Sequence, residues 1–213
     1  MTAAPLRIVI LVATKGRGSN MQTIIDGCAS GTIPAQVVGV IAPSENSPAL
    51  QRAVAQQIPT AIVPYNPDSI PASQEEMYAA IKRLDPGLIV LAGFLRKLGD
   101  RVVSEYSGRI MNIHPALIPS FCGQGMYGHH VHQAVIDSGA KYSGCTVHFV
   151  DDNYDTGPII DQAVVVVEPD DDAESLAARV LKEEHRLFPQ CVKLFAEGRL
   201  KLDGRKVRIL TNS

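Results

Sequence analysis

The chain has 213 residues, a formal net charge of −2, and 46% hydrophobic against 20% charged residues. That length buries a full core, and with no block of basic residues a nucleic-acid backbone is excluded as the main partner. No apolar run is long enough to span a bilayer and no charged leader region precedes one, so no membrane partner is expected and a cytoplasmic protein is. Cys28, Cys122, Cys145 and Cys191 include no Cys-x-x-Cys pair, which argues against a zinc knuckle and a disulfide scaffold, and no metal is expected. Cys28 and Cys191 fit apolar helical positions, whereas Cys122 lies among loop glycines, where a catalytic thiol stays open.

Leu6 to Val12 is a nearly continuous apolar run, the pattern of a strand covered on both faces of a parallel sheet. It leads into Ala13-Thr14-Lys15-Gly16-Arg17-Gly18-Ser19-Asn20, after which Met21, Ile24, Ile25 and Cys28 recur at helical spacing up to Gly31. A strand, a glycine turn and a helix opened by Ser or Asn make an anion site, since N-terminal N–H groups and the helix dipole favour negative charge. The turn lacks the third glycine of a dinucleotide fingerprint and the Gly-Lys-Ser/Thr of a Walker loop. A phosphate-bearing ligand smaller than a dinucleotide is therefore expected.

Val37 to Ile41 and Thr60 to Val63 read as the second and third strands, with a helix from Ala49 to Gln57 between them. Pro64 to Pro71 reads as an irregular flap, and Gln74 to Leu84 as a helix with Met77, Ala80, Ile81 and Leu84 on one stripe. Gly87 to Gly93 is the fourth strand, and a short helix runs to Tyr106. Arg109-Ile110-Met111-Asn112-Ile113-His114-Pro115 then reads as a buried strand ending in an amide and an imidazole on one face. Such groups are costly at a strand end unless paired or in use, and the C-terminal end of a strand is where ligands sit in open α/β sheets.

Pro115 to Gly128 is a long loop, followed by a helix from His129 to Ser138. Strands Gly144 to Val150 and Ile159 to Val167 straddle the acidic loop Asp151-Asp152-Asn153-Tyr154-Asp155-Thr156-Gly157-Pro158. A helix spans Ala173 to Ala196, with Pro189 expected to bend it, and a small hairpin turns at Gly204. The alternation predicts an α/β, Rossmann-like, mostly parallel twisted sheet of about seven strands with helices on both faces. One domain over 1–213 is expected, with a phosphate-binding half to about 110 and a catalytic half from about 111.

Three groups converge on a sheet edge: Asn112, His114 and the loop around Asp155. An imidazole can shuttle a proton or, charged, donate to an oxyanion; an amide can only donate to it; a carboxylate favours the charged imidazole. Asp155 is preferred over Asp151 and Asp152 because Gly157-Pro158 fixes the backbone after it. His148 either stands behind these groups or belongs to the core. No serine or cysteine elbow and no set of four ligands accompanies them, so direct transfer between two bound substrates is favoured over covalent or zinc chemistry.

Gly16-Arg17-Gly18-Ser19-Asn20, Leu91-Ala92-Gly93-Phe94, Asn112-Ile113-His114-Pro115, Thr146-Val147-His148-Phe149-Val150, Asp155-Thr156-Gly157-Pro158 and Glu184-His185 together resemble the phosphoribosylglycinamide formyltransferase family, from about Leu6 to Leu202. The resemblance implies formyl transfer from 10-formyltetrahydrofolate, as co-substrate, to the amine of a phosphoribosylated glycinamide in purine synthesis. It further implies Asn112, His114 and Asp155 as the catalytic trio and Gly18, Ser19 and Asn20 as phosphate ligands. Glu184 would hold the ribonucleotide, and Leu95, Arg96, Leu98 and Val103, with Asn112, would border the folate. The partners implied are small molecules, with the chain as a monomer or homodimer. Ala116 replaces the family's usual serine, Leu181 its usual Lys or Gln, and Ser73-Gln74-Glu75 a flap arginine. A formyltetrahydrofolate hydrolase is the nearest rival; its relatives carry an N-terminal domain for which a first strand at Leu6 is expected to leave no room. Methionyl-tRNA formyltransferase would need a further C-terminal domain and a basic face. A non-catalytic phosphosugar-binding domain would explain the glycine turn but not the trio.

Overall fold

The apolar run that opens the chain forms β1 (Leu6–Val12), buried from Ile8 onward, as a strand covered on both faces must be. It pairs in parallel with β2 (Ala35–Ala42) on one side and β4 (Leu88–Ala92) on the other, and β2 takes β3 (Thr60–Ile62), also parallel. The structure is a computed structural model that describes residues 4–211. Seven strands form one sheet in the order β3-β2-β1-β4-β5-β6-β7, with β5 at Ile110–His114, β6 at Tyr142–Phe149 and β7 at Ile159–Val166. The expected α/β architecture and strand number hold. β6 and β7 pair antiparallel, as the short acidic connection between them requires.

The chain divides into two units, one up to Met111 and one from Asn112. In the first, α1 (Ser19–Ala29), α2 (Pro48–Ala55), α3 (Ile70–Leu84) and α4 (Asp100–Glu105) accompany the strands. α3 begins four residues before the expected Gln74. Pro71 sits in its first turn, where a missing N–H breaks no helical bond. Most of the expected flap is thus ordered as a 3-10 turn, Pro67–Ser69, and the start of α3, with the Ser73 hydroxyl accepting from the Asn66 N–H at 2.9 Å.

In the second unit, α5 (His129–Ser138) and α6 (Ala173–Ala196) accompany β6 and β7, and β8 (Leu200–Asp203) pairs with β9 (Lys206–Ile209) as a separate hairpin. Leu176, Val180, Leu187, Cys191 and Leu194 bury the expected face of α6. Its start is capped twice over. Asp172 and Ser175 exchange backbone and side-chain bonds in a capping box, and Arg179 clamps Asp171, donating to Oδ1 at 2.9 Å and also to Oδ2. Pro189 lies inside this helix, which continues through it as one element.

Candidate functional site

In the first unit, β1 and β4 end side by side, with Val12 opposite Ala92. Chain order reverses between them, the place where a doubly wound sheet opens a crevice. The glycine turn leaves from the end of β1. Gly18 caps α1 with φ 73°, and a Cβ there would lie 2.7 Å from Ala49 Cβ, so the position admits glycine for both reasons. The Ser47 hydroxyl donates to the Ala13 carbonyl at 2.8 Å, pinning the start of α2 to the turn. Ser19 opens α1 and Asn20 is half-buried behind it. From the end of β4 come Leu95, 51% exposed, and Arg96, whose guanidinium lies 4.0 Å above the Tyr65 ring. Leu98 and Val103 are buried in the core, so of these four residues only Leu95 and Arg96 reach the surface.

In the second unit, β5 delivers Asn112 and His114 to its C-terminal end. His114 Nε2 lies 2.8 Å from the Phe121 carbonyl, which can only accept, so that nitrogen carries a proton. Nδ1 then faces Asp155 Oδ2 at 3.5 Å. The same oxygen accepts the Gly123 N–H at 2.9 Å, while Asp155 Oδ1 lies 3.6 Å from His148 Nε2. His148 Nδ1 lies 2.8 Å from the Phe149 carbonyl, which can only accept, and its Nε2 lies 3.1 Å from Asn112 Nδ2. His148 thus packs its ring nitrogen directly against the Asn112 amide. It is buried, in contact with Asn112 and 3.6 Å from Asp155.

Burial and the carboxylate pull His114 in opposite directions. Burial pushes the His114 pKa below the ordinary 6.5; Asp155 and the Phe121 carbonyl raise it only in part, and His148 lowers it again. The carboxylate favours the charged ring, as expected, but burial outweighs it and tips the balance toward the neutral imidazole. Burial raises Asp155, but His148, the Gly123 N–H and His114 together bring its pKa below the usual carboxylate value. This neutral ring with an unprotonated Nδ1 beside a carboxylate is a place where a proton binds.

The three aspartates separate by their partners. Asp151 ties the loop to itself, accepting from the Thr156 hydroxyl at 2.6 Å and the Asn153 N–H at 3.2 Å, and Asp152 is exposed. Asp155 alone of the three stands against His114. Glu184 is buried on α6, at 8% exposure; burial first, and then Glu184, push the Cys145 thiol up.

Several supporting groups escaped the sequence. Phe121 and Gly123 act through backbone atoms, which no side-chain pattern reveals. Thr146, fully buried on β6, donates to the Ala116 carbonyl at 2.7 Å and accepts from the Ile118 N–H at 3.0 Å and Gln162 Nε2 at 2.9 Å. It thereby fixes the chain leaving His114. His132 on α5 is buried, and its pKa is pushed down to about 4 by burial first and then by His129 and His114. Cys122 is no activated nucleophile, because burial and then Asp155 push its thiol up. Among the described residues, no group of three or more His, Cys, Asp or Glu is placed to hold a metal, and no helix is long and apolar enough to cross a membrane.

The formyl transferase family model matches residues 6–192, stopping short of the terminal hairpin. The phosphoribosylglycinamide formyltransferase of Escherichia coli is 38% identical over 210 residues, covering 95% of this chain and 96% of that protein. The crystal structure of glycinamide ribonucleotide transformylase 1 from Symbiobacterium toebii is similar with a TM-score of 0.89 and 37% identity, over 99% of this chain and 96% of that one. A formyltetrahydrofolate deformylase from Pseudomonas syringae pv. tomato reaches the same TM-score of 0.89 at 22% identity, over 98% of this chain and 67% of that one, a likeness of fold alone.

Proposed function

This chain belongs to the formyl transferase family, and on that premise we propose that it transfers a formyl group from 10-formyltetrahydrofolate to the amine of 5-phospho-ribosylglycinamide, in purine biosynthesis. One observation carries the chemistry: a buried His114 whose Nδ1 faces Asp155 at 3.5 Å while its Nε2 is held by the Phe121 carbonyl, with the Asn112 amide beside them.

The amine attacks the formyl carbon, and the carbonyl oxygen becomes an oxyanion. Asn112 donates to that oxygen. The proton leaving the ammonium passes to the His114–Asp155 pair, and the imidazolium so formed adds its charge to the stabilisation. Collapse breaks the bond between the formyl carbon and N10 of the folate, and N10 takes the proton back from the pair. Starting neutral suits His114 to this cycle, because a group already protonated could not accept.

The unit up to Met111 receives the phosphate at Gly18, Ser19 and Asn20, and the unit from Asn112 carries the formyl chemistry, within one formyltransferase domain. Glu184 holds the ribonucleotide. Leu95 and Arg96 contact the folate directly, while buried Leu98 and Val103 shape the loop that presents them. The enzyme is cytoplasmic, with small-molecule substrates and no metal.

The test measures formyl transfer with the amine present and formate release with water alone. Amine-dependent formylated product with little formate is expected. Equal consumption of the folate with and without the amine would make the protein a hydrolase.

A further inference from the structure

We propose that Arg205, at the turn of the terminal hairpin, is a positioning residue for Asp155, and that the hairpin serves to brace the loop carrying that carboxylate. The inference rests on Asp155 acting in formyl transfer, as set out above.

The hairpin contributes little to a core. Of its strands, only Leu200 and Val207 are even half-covered, and the rest are exposed. β9 nevertheless runs alongside β7, which brings the turn between β8 and β9 to the acidic loop. There Arg205 Nη2 donates to the Thr156 carbonyl at 2.7 Å, a bond between residues 49 positions apart. Thr156 is the residue after Asp155.

The loop needs an outside brace at that point. Its neck is rigid: the Phe149 N–H donates to the Pro158 carbonyl at 2.9 Å, and a Cβ on Gly157 would lie 1.8 Å from the Phe149 carbonyl. Its other end is knotted by Asp151, through the Thr156 hydroxyl and the Asn153 N–H. Asp155 lies between, in the left-handed region at φ 55°, a conformation that a non-glycine residue leaves unless held. Arg205 pins the Thr156–Gly157 peptide unit, one peptide beyond the one that Asp155 itself begins. With that unit fixed, the carboxylate keeps Oδ2 on the Gly123 N–H at 2.9 Å and 3.5 Å from His114. Reacting groups are sensitive to such placement, since a displacement of about 1 Å can cost roughly a hundredfold in rate.

The experiment is single-turnover formyl transfer by Arg205→Ala, Arg205→Lys, Asp155→Asn and the double variant Arg205→Ala with Asp155→Asn. Substrate dissociation constants and thermal midpoints are measured alongside. Arg205→Ala is expected to slow transfer by about threefold to tenfold, the range that one hydrogen bond from a charged donor controls. Dissociation constants should stay within about twofold and the midpoint within about 2 °C, as befits an exposed side chain. Arg205→Lys, which can still donate to the carbonyl, should recover most of the rate. In the double variant the arginine change should add nothing to the loss already caused by Asp155→Asn, because it acts only through that carboxylate.

A wild-type rate in Arg205→Ala beside a strongly impaired Asp155→Asn overturns the bracing and leaves the role of Asp155 intact. Wild-type rates in both remove the role of Asp155 and the bracing with it. Losses that multiply in the double variant, or a lowered midpoint that lysine does not restore, assign Arg205 to folding and also overturn the proposal.

Discussion

Replacing Thr146 by valine keeps the shape of a fully buried side chain and removes one hydroxyl. That hydroxyl has a single proton, given to the Ala116 carbonyl, and it accepts two amide hydrogens, from Ile118 and Gln162. Valine leaves all three partners facing a methyl group. Gln162 keeps its second bond, to the Ile118 carbonyl at 3.0 Å, so its loss is the smallest. A buried polar group left unpaired costs about 1–3 kcal/mol, and partial relaxation of the 116–118 loop puts the total near 3 kcal/mol. For a chain of this length that lowers the thermal midpoint by on the order of 10 °C. The same relaxation moves the chain that leaves His114, so turnover should fall by more than the unfolded fraction explains. Thermal unfolding and single-turnover transfer at roughly 20 °C below the variant's own midpoint, within the folded plateau, separate the two effects. Thr146→Ser restores both if the hydroxyl is the cause. A valine variant as stable and as fast as the wild type would refute the account of this junction.

Asn112→Ala, which removes the oxyanion donor, and His114→Ala, which removes the proton acceptor, should each lower single-turnover transfer by roughly a hundredfold or more, with substrate binding little changed; near-normal chemistry in His114→Ala ends the mechanism. The rate should hold as pH falls through 6.5 and drop only below it, because burial lowers the His114 pKa; in Asp155→Asn that acid limb moves further down, since Asp155 raises it, and a limb above 6.5 contradicts the neutral resting state. Gly18 is unsuited to testing phosphate binding because any side chain strikes Ala49, so Ser19→Asp is the probe: it should raise KM for the phosphorylated amine by about tenfold or more, an effect on the order of one repulsive charge pair, while folate binding stays constant. The clamp by Arg179 holds the Asp171 carboxyl well below its ordinary 3.8, so it stabilises the fold fully above that value and loses this as pH falls through the lower folded value. Asp171→Asn should thus lower the midpoint by several degrees at pH 7, with the gap to wild type closing in acid; a gap that persists unchanged at low pH assigns the effect to capping geometry rather than charge.

How much of this was legible follows from the kind of signal each part leaves. β1, β5, α5 and α6 were readable because burial on both faces, or a helical stripe, imposes a pattern on side chains; the bounds of β1, α5 and α6 match the expected ones, and β5 lies one residue inside the expected stretch at each end. The start of α3 was misplaced because proline and serine carry turn chemistry and helix-start chemistry alike. Asn112, His114 and Asp155 stood out as polar groups at strand ends. Their protonation did not, since residue types give the Asp155 charge but not the depth of the ring beside it. Phe121 and Gly123 left no trace at all, because a carbonyl and an N–H belong to every residue.

The left-handed backbone at Asp155 sets two selective pressures against each other. Glycine adopts that conformation without strain and asparagine more readily than most residues. A library of variants screened for heat resistance alone should therefore enrich Asp155→Gly or Asp155→Asn and discard the carboxylate. The same library screened for growth that depends on the reaction should keep aspartate at the expense of thermal tolerance. Position 155 is a point where an ancestral or consensus design that optimises folding could yield a sturdier protein that no longer turns over.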